Sequence, residues 1–271
     1  MKFVITGEQR AALMPDLMPR MRADENALEG AYYPIVSLYY DNATRDCYWE
    51  KMEGVPSRRK MRVRVYGNLE GNMPPTSFLE VKHKCDGRGV KRRVRVSLEE
   101  CLRLANGEPP TKPLSVPDQR TVEEVHAMVR ERGFVPTCCM RYDRLAYADR
   151  DPKSDLRVTF DTGIAYRMDN LIPIPDDRRF TNYLLPEGYS VMEVKVTGAV
   201  PFWMTTMVGE HGCILQGHSK YSNALEDGDP VLHRMLGGKK IKHHYGLTPH
   251  SLPATMTDST RSTAAPLAAA S

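Results

Sequence analysis

The 271-residue chain has no apolar run approaching the roughly 18 residues that a membrane-spanning helix needs. Its six cysteines, Cys47, Cys85, Cys101, Cys138, Cys139 and Cys213, form no C-x-x-C pair and no zinc-like spacing. Free thiols in a reducing compartment are the expectation. The eight histidines show no ligand spacing, and His243-His244 reads as a feature of the tail. Gly237-Gly238-Lys239 lacks the rest of a phosphate-loop pattern. Aromatic residues are sparse among the basic segments, which leaves little for base stacking and argues against nucleic-acid binding. No secretory signal opens the chain, since Met1–Thr6 runs straight into a helical pattern, so a cytoplasmic location is expected. No internal repeat is visible.

What remains is an ordinary globular composition, 41% hydrophobic and 27% charged, with enough length to bury a core. The net charge is only +4, but its distribution is uneven. Between Arg58 and Arg95 stand twelve Lys or Arg residues and only three acids, Glu70, Glu80 and Asp86. Such a local concentration of cations points to an anionic partner.

Along the chain, Met1–Ile5 reads as a short strand, and Thr6 with Gln9 as a capping box opening a helix with an apolar stripe of Leu13, Leu17, Met18 and Met21. Pro15 and Pro19 interrupt that helix. Strands are expected at 33–40, 61–66, 77–84, 91–98, 137–143, 157–161 and 190–196, with a hairpin turn at Asp86–Gly89. Ser97 with Glu100, and Thr121 with Glu124, cap two helices, the second ended by Gly133. Residues 108–117, with four prolines, read as a loop, and 199–209 as a helix with Pro201 in its first turn. From about Glu226 the pattern fades, so the expected division is a domain over 1–225 and an extension over 226–271 whose Ser/Thr/Ala/Pro-rich end is disordered.

Alternate strand residues face opposite sides. Arg62 and Arg64 therefore oppose Val63 and Val65, while Glu80, Lys82 and Lys84 oppose Leu79, Val81 and His83. Lys91, Arg93, Arg95 and Ser97 oppose Arg92, Val94, Val96 and Leu98; Arg157, Thr159 and Asp161 oppose Val158 and Phe160; Glu193 and Lys195 oppose Val194 and Val196. Five strands repeat one theme, an ionic face and an aliphatic one. A half-buried sheet with a solvated face explains this. So does a barrel with helices packed outside and the ionic face lining its bore. The near absence of Ser, Thr and Gln from the ionic faces favours the second.

The runs YPIVSLYYDN (33–42), RRKMRVRVYG (58–67), FLEVKHKCDGRGVKRR (78–93), RYDRLAY (141–147), LRVTFDTGI (156–164), VMEVKVTGAVPFW (191–203) and HSKY (218–221) resemble, in order and spacing, the VTC domain of the vacuolar transporter chaperone complex and its bacterial relatives. The resemblance runs from Lys2 to about Tyr221. It implies an α+β, triphosphate-tunnel fold: an antiparallel eight-stranded β-barrel with helices outside. It also implies a polyphosphate polymerase that uses ATP with Mn²⁺ or Mg²⁺. Carried over position by position, it makes Lys220, Arg144 and Glu193 catalytic. Phosphate would be held by Lys2, Arg62, Arg64, Lys82, Lys91, Arg93, Arg157 and Lys195. The metal would be held by Glu193, joined by Glu80 or Asp161.

Two departures from the family pattern stand out. The opening strand of the family reads E-x-K-[YF]; here Met1-Lys2-Phe3 supplies the lysine, and the place of the acid falls before Met1, so either the start is trimmed or one tunnel carboxylate is absent. Catalytic eukaryotic members also carry a lysine three residues before that of S-K-[YF], where this chain has Gly217. A triphosphatase hydrolysing inorganic or organic triphosphate, and a module that binds polyphosphate without turnover, therefore stand as alternatives.

Overall fold

A computed structural model describes residues 1–24, 32–67, 74–175, 177, 179–238 and 241. The elements run β1 (Lys2–Ile5), α1 (Gly7–Leu17), β2 (Met21–Ala23), β3 (Tyr33–Asp41), α2 (Asp46–Met52), β4 (Ser57–Tyr66), β5 (Ser77–Cys85), β6 (Arg88–Val96), α3 (Leu98–Ala105), α4 (Val116–Arg132), β7 (Val135–Asp149), β8 (Arg157–Arg167), β9 (Asn182–Tyr183), β10 (Ser190–Lys195), α5 (Phe202–Glu210), α6 (Lys220–Gly228) and α7 (Pro230–Met235). One antiparallel sheet carries the fold, with strand order β1-β10-β8-β7-β3-β4-β5-β6, while β2 pairs with β7 and β9 with β8. The class is α+β, and the main path has the expected eight strands. The ring of strands is not closed: β1 and β6 end the path without pairing to each other. The outer edge of β1 instead meets residues 215–216, through the Phe3–Leu215 bridge and the bond from Gln216 N–H to Lys2 C=O at 2.9 Å.

Local chemistry explains most boundaries. Thr6 and Gln9 form the expected capping box on α1, and Gly133 ends α4 in the left-handed region at φ 65°. The β5–β6 turn narrows to Asp86 and Gly87, both with positive φ (47° and 82°), as a two-residue hairpin requires. Other expectations shift. Met18 is partly exposed and Met21 belongs to β2, because α1 stops at Leu17. Helix α4 begins at Val116 under a Ser115 cap, with Pro117 in its first turn; Thr121 lies inside it and donates to Pro117 C=O at 3.0 Å. Strands β7 and β8 run well past the expected ends. Helix α6 passes through residue 225, and Glu226 within it is buried and accepts from Tyr48 at 2.9 Å. The expected tail at 248–271 lies outside the described residues, as do His243-His244 and Lys239.

Two apolar layers cover the outer face of the sheet. Helices α3 and α4 bring Cys101, Leu104, Val122 and Val125 into one core cluster with Val63, Leu79, Val81 and Val94. Helices α1 and α5 bring Leu13, Leu17, Met204 and Met207 into a second with Ile5, Phe160, Met192 and Val194. The ionic faces thus point inward, away from the helices. Truncating Phe160, which is fully buried, to alanine is expected to cost about 3–5 kcal/mol of unfolding free energy. The midpoint of a urea titration checks this.

Candidate functional site

The ladder registers set the inner face residue by residue. Arg62 lies opposite Glu80 on β5 and Tyr39 on β3, and Arg64 lies opposite Ser37. Arg144 on β7 lies opposite Asp161 on β8, and Glu193 on β10 lies opposite both Thr159 and Lys2. These faces enclose a cavity of ≈ 520 Å³ whose lining includes Lys2, Lys51, Arg58, Lys60, Arg62, Arg64, Lys82, Lys84, Arg144, Lys195 and Lys220, against only Glu80 and Glu193 among the acids. Lys2 on β1 and Lys82 on β5 line the same space, so the sheet curls enough to surround it although its end strands do not pair.

Helix α6 supplies the cation that no strand carries. Ser219 caps it by accepting from Ser222 N–H at 3.4 Å, which places Lys220 in the first turn. The Lys220 Nζ lies 2.5 Å from Asp161 Oδ2 and 4.7 Å from the Tyr142 ring centroid. Asp161 also takes two bonds from Arg144, Nε to Oδ1 at 2.6 Å and Nη2 to Oδ2 at 2.8 Å. Asp161 is fully buried. Burial alone would raise its carboxyl, but Lys220 and Arg144 outweigh that and hold it far below the usual range. Two bonds fix the helix: Tyr221 donates to Asp41 at 2.6 Å, and Tyr48 donates to Glu226. Its last turn meets Arg45, whose Nη2 donates to Asp229 at 3.1 Å.

Nine of the residues singled out in the sequence line the cavity: Lys2, Arg62, Arg64, Glu80, Lys82, Arg144, Glu193, Lys195 and Lys220. Three do not. Lys91 lies 3.3 Å from Glu80, on the exposed edge strand β6. Arg93 sits over the Phe78 ring at 4.8 Å from its centroid, and Arg157 donates to Asp24 at 2.7 Å. Tyr39, Lys51, Arg58, Lys60 and Tyr142 line the cavity without having been singled out. Arg58 and Lys60 share the alternation of Arg62 and Arg64, and only the expected strand start at 61 concealed them. No periodicity marks Tyr39, because β3 is buried on both faces.

The carboxylates divide by what already occupies them. Glu80 is buried, accepts from Arg62 Nε at 2.7 Å, and has its other oxygen 3.3 Å from Lys91. Burial opposes its ionisation, yet Arg62, Arg64 and Lys91 pull its carboxyl down to about 2. Both oxygens thus face cations, and Asp161 is held in the same way by Arg144 and Lys220. Glu193 has only looser contacts, Lys195 at 3.4 Å and Lys2 at 4.0 Å. Among the described residues no group of three His, Cys, Asp or Glu comes together. A divalent ion here would have Glu193 and the oxygens of a phosphate ligand, a donor set that suits Mg²⁺ or Mn²⁺.

The described helices include none long and apolar enough to cross a membrane. Among solved structures, a candidate adenylate cyclase of Bacillus halodurans aligns over 90% of this chain and 91% of its own, at 9% identity and a TM-score of 0.42. Another from Vibrio parahaemolyticus aligns over 82% and 95%, at 9% identity and 0.40. Among curated proteins, vacuolar transporter chaperone complex subunit 4 of Schizosaccharomyces pombe is 26% identical over 228 residues. That match covers 70% of this chain and 31% of the relative, so the chain spans about a third of that protein's length. The VTC domain model matches residues 1–227, from the first strand through the helix that carries Lys220, and the chain belongs to the VTC domain family.

Proposed function

We propose that this chain is a polyphosphate polymerase that transfers the γ-phosphoryl group of ATP to the end of a growing inorganic polyphosphate chain. The observation that carries the reading is the cavity lining, eleven Lys or Arg against two acids, with two of those cations, Arg144 and Lys220, joined through the buried Asp161. Phosphoryl transfer asks for in-line positioning and for neutralisation of charge spread over phosphate oxygens. Arg62, Arg64 and Arg144 offer planar guanidiniums for bidentate contact, and the lysines act as point charges. A terminal oxygen of the chain attacks the γ-phosphorus. The bond to the β-phosphate breaks, and ADP leaves with its electron pair. Lys220, aimed by Asp161, would stabilise the charge that the transferring group gains. Glu193, with phosphate oxygens, would hold a divalent ion that neutralises charge between phosphates. Membership of the VTC family and the relative that is a chaperone complex subunit support the reading.

Incubation of the purified protein with ATP and Mn²⁺, followed by a gel that resolves phosphate chain lengths, tests it. A ladder of long chains is expected, lost by about 10²–10³-fold in Lys220→Ala and Glu193→Ala. Free phosphate without a ladder makes the protein a triphosphatase instead. Neither product, with polyphosphate still bound, leaves a binding module.

A further inference from the structure

Among the ionisable side chains of the cavity that the transfer described above does not name is a tyrosine. Tyr39 lines the cavity from β3, beside Arg62 in the adjoining strand. Arg62 Nη1 donates to its hydroxyl at 3.1 Å, so the phenolic proton is not used in that bond. Among the described residues no protein group accepts that proton. The ring itself is held: it stacks on Tyr221, centroids 5.2 Å apart at 26°, and the Arg62 guanidinium lies 5.7 Å from its centroid. Tyr221 is the opposite case. Its hydroxyl is committed to Asp41, and burial together with Asp41 pushes its phenol up. Of two stacked tyrosines, one is tied off and the other presents a free donor to a cation-lined space.

We propose that Tyr39 is a phosphate ligand of this cavity, its hydroxyl donating to an oxygen of a triphosphate group seated between Arg62 and Lys220. The proposal rests on reading the cavity as a phosphate site, and assigns it a donor beyond its lysines and arginines. The groups facing Tyr39 are Lys60, Arg62 and Arg64 on β4, Lys220 and Tyr221 on α6, and Cys138 opposite it on β7, with Glu80 behind Arg62. Burial works against ionisation of Tyr39, but Arg62, Arg64, the bond from Arg62 and Lys220 together hold the phenol down to about 8. A triphosphate among the same cations cancels their field and repels a phenolate, so the bound state prefers the proton and its pKa rises. Below about pH 8 the free protein already carries that proton. Above it, binding must take one up, and affinity through this group falls by up to about tenfold per pH unit.

Calorimetric titration with sodium tripolyphosphate, on wild type and Tyr39→Phe near pH 7 and pH 9, tests this. Phenylalanine keeps the ring against Tyr221. Lys2 and Lys195, whose ammonium groups burial disfavours, are present in both proteins, so the ratio of affinities removes their contribution. About tenfold weaker binding by the variant is expected near pH 7, with the gap closing near pH 9. In the wild type alone, phenolate absorbance near pH 9 should fall as tripolyphosphate is added. Equal affinities near pH 7, a ratio unchanged with pH, or a phenolate signal indifferent to ligand would overturn the role of Tyr39. Failure of the wild type to bind tripolyphosphate at either pH would instead overturn the phosphate-site reading itself.

Discussion

Asp161→Asn is expected to destabilise the protein by about 3–5 kcal/mol and to abolish detectable phosphate transfer. The carboxylate accepts three bonds, two from Arg144 and one from Lys220, with no exposure to water. An amide offers one acceptor oxygen, and its NH₂ would face donors. At least one buried cation then loses its partner, which costs far more than the net worth of the intact pair. Lys220 also loses the group that aims it. A double-mutant cycle with Lys220→Met separates the two effects: part of the stability loss should be relieved when the lysine charge is removed, whereas activity should not return. Denaturant titrations that place Asp161→Asn within about 1 kcal/mol of wild type would mean that water satisfies the cluster. The sign of the pH dependence follows from the same group. Its folded carboxyl lies below the unfolded value, so its contribution is present above about pH 4 and lost as pH falls through the folded value. Glu80 adds a loss between its unfolded value of about 4.3 and its folded value of about 2.

How far the sequence could be read depends on what each residue obeys. An ionic face is legible wherever a strand keeps one ionic and one aliphatic side, as at Arg62, Arg64, Glu80, Lys82, Glu193 and Lys195, but alternation alone does not say whether that face lines a bore or meets solvent. Closure was not visible. Whether β1 meets β6 depends on twist and curl summed over eight strands, and the edge of β1 is occupied by residues 215–216, far along the chain. Lys91 and Arg93 follow the alternation faithfully, yet β6 is the open edge, and there alternation places side chains in solvent. Lys220 follows no strand period and entered only through the resemblance of HSKY to the family. The pairing of Asp161 with Lys220 spans 59 residues, and no local pattern encodes such a contact. Tyr39 was hidden because a strand buried on both faces reads as uniformly apolar.

Arg64→Met is expected to make the empty protein more stable by about 1–3 kcal/mol while weakening tripolyphosphate binding at least about 100-fold. Arg64 is only 6% exposed, and its guanidinium bonds are all to hydroxyls: Ser37 at 3.1 Å, Tyr142 at 3.1 Å and Tyr66 at 3.5 Å. No acid forms an ion pair with it among the described residues. Glu80, the nearby carboxylate, is held by Arg62 and Lys91. Arg62 and Arg64 moreover repel one another, which works against the charge on Arg62. Glu80 acts on Arg64 only at a distance and is shared with Arg62 and Lys91, so this buried cation is incompletely compensated in the empty state, and an arriving polyanion completes the compensation. Wild type should therefore gain more thermal stability from tripolyphosphate than any variant lacking Arg64, with Tm rising with ligand concentration and falling with added salt. Thermal melts of both proteins, with and without tripolyphosphate, decide the matter. If Arg64→Met is less stable than wild type without ligand, the guanidinium serves as a structural clamp on Ser37 and Tyr142, and the anion must be held by the other cations of the cavity.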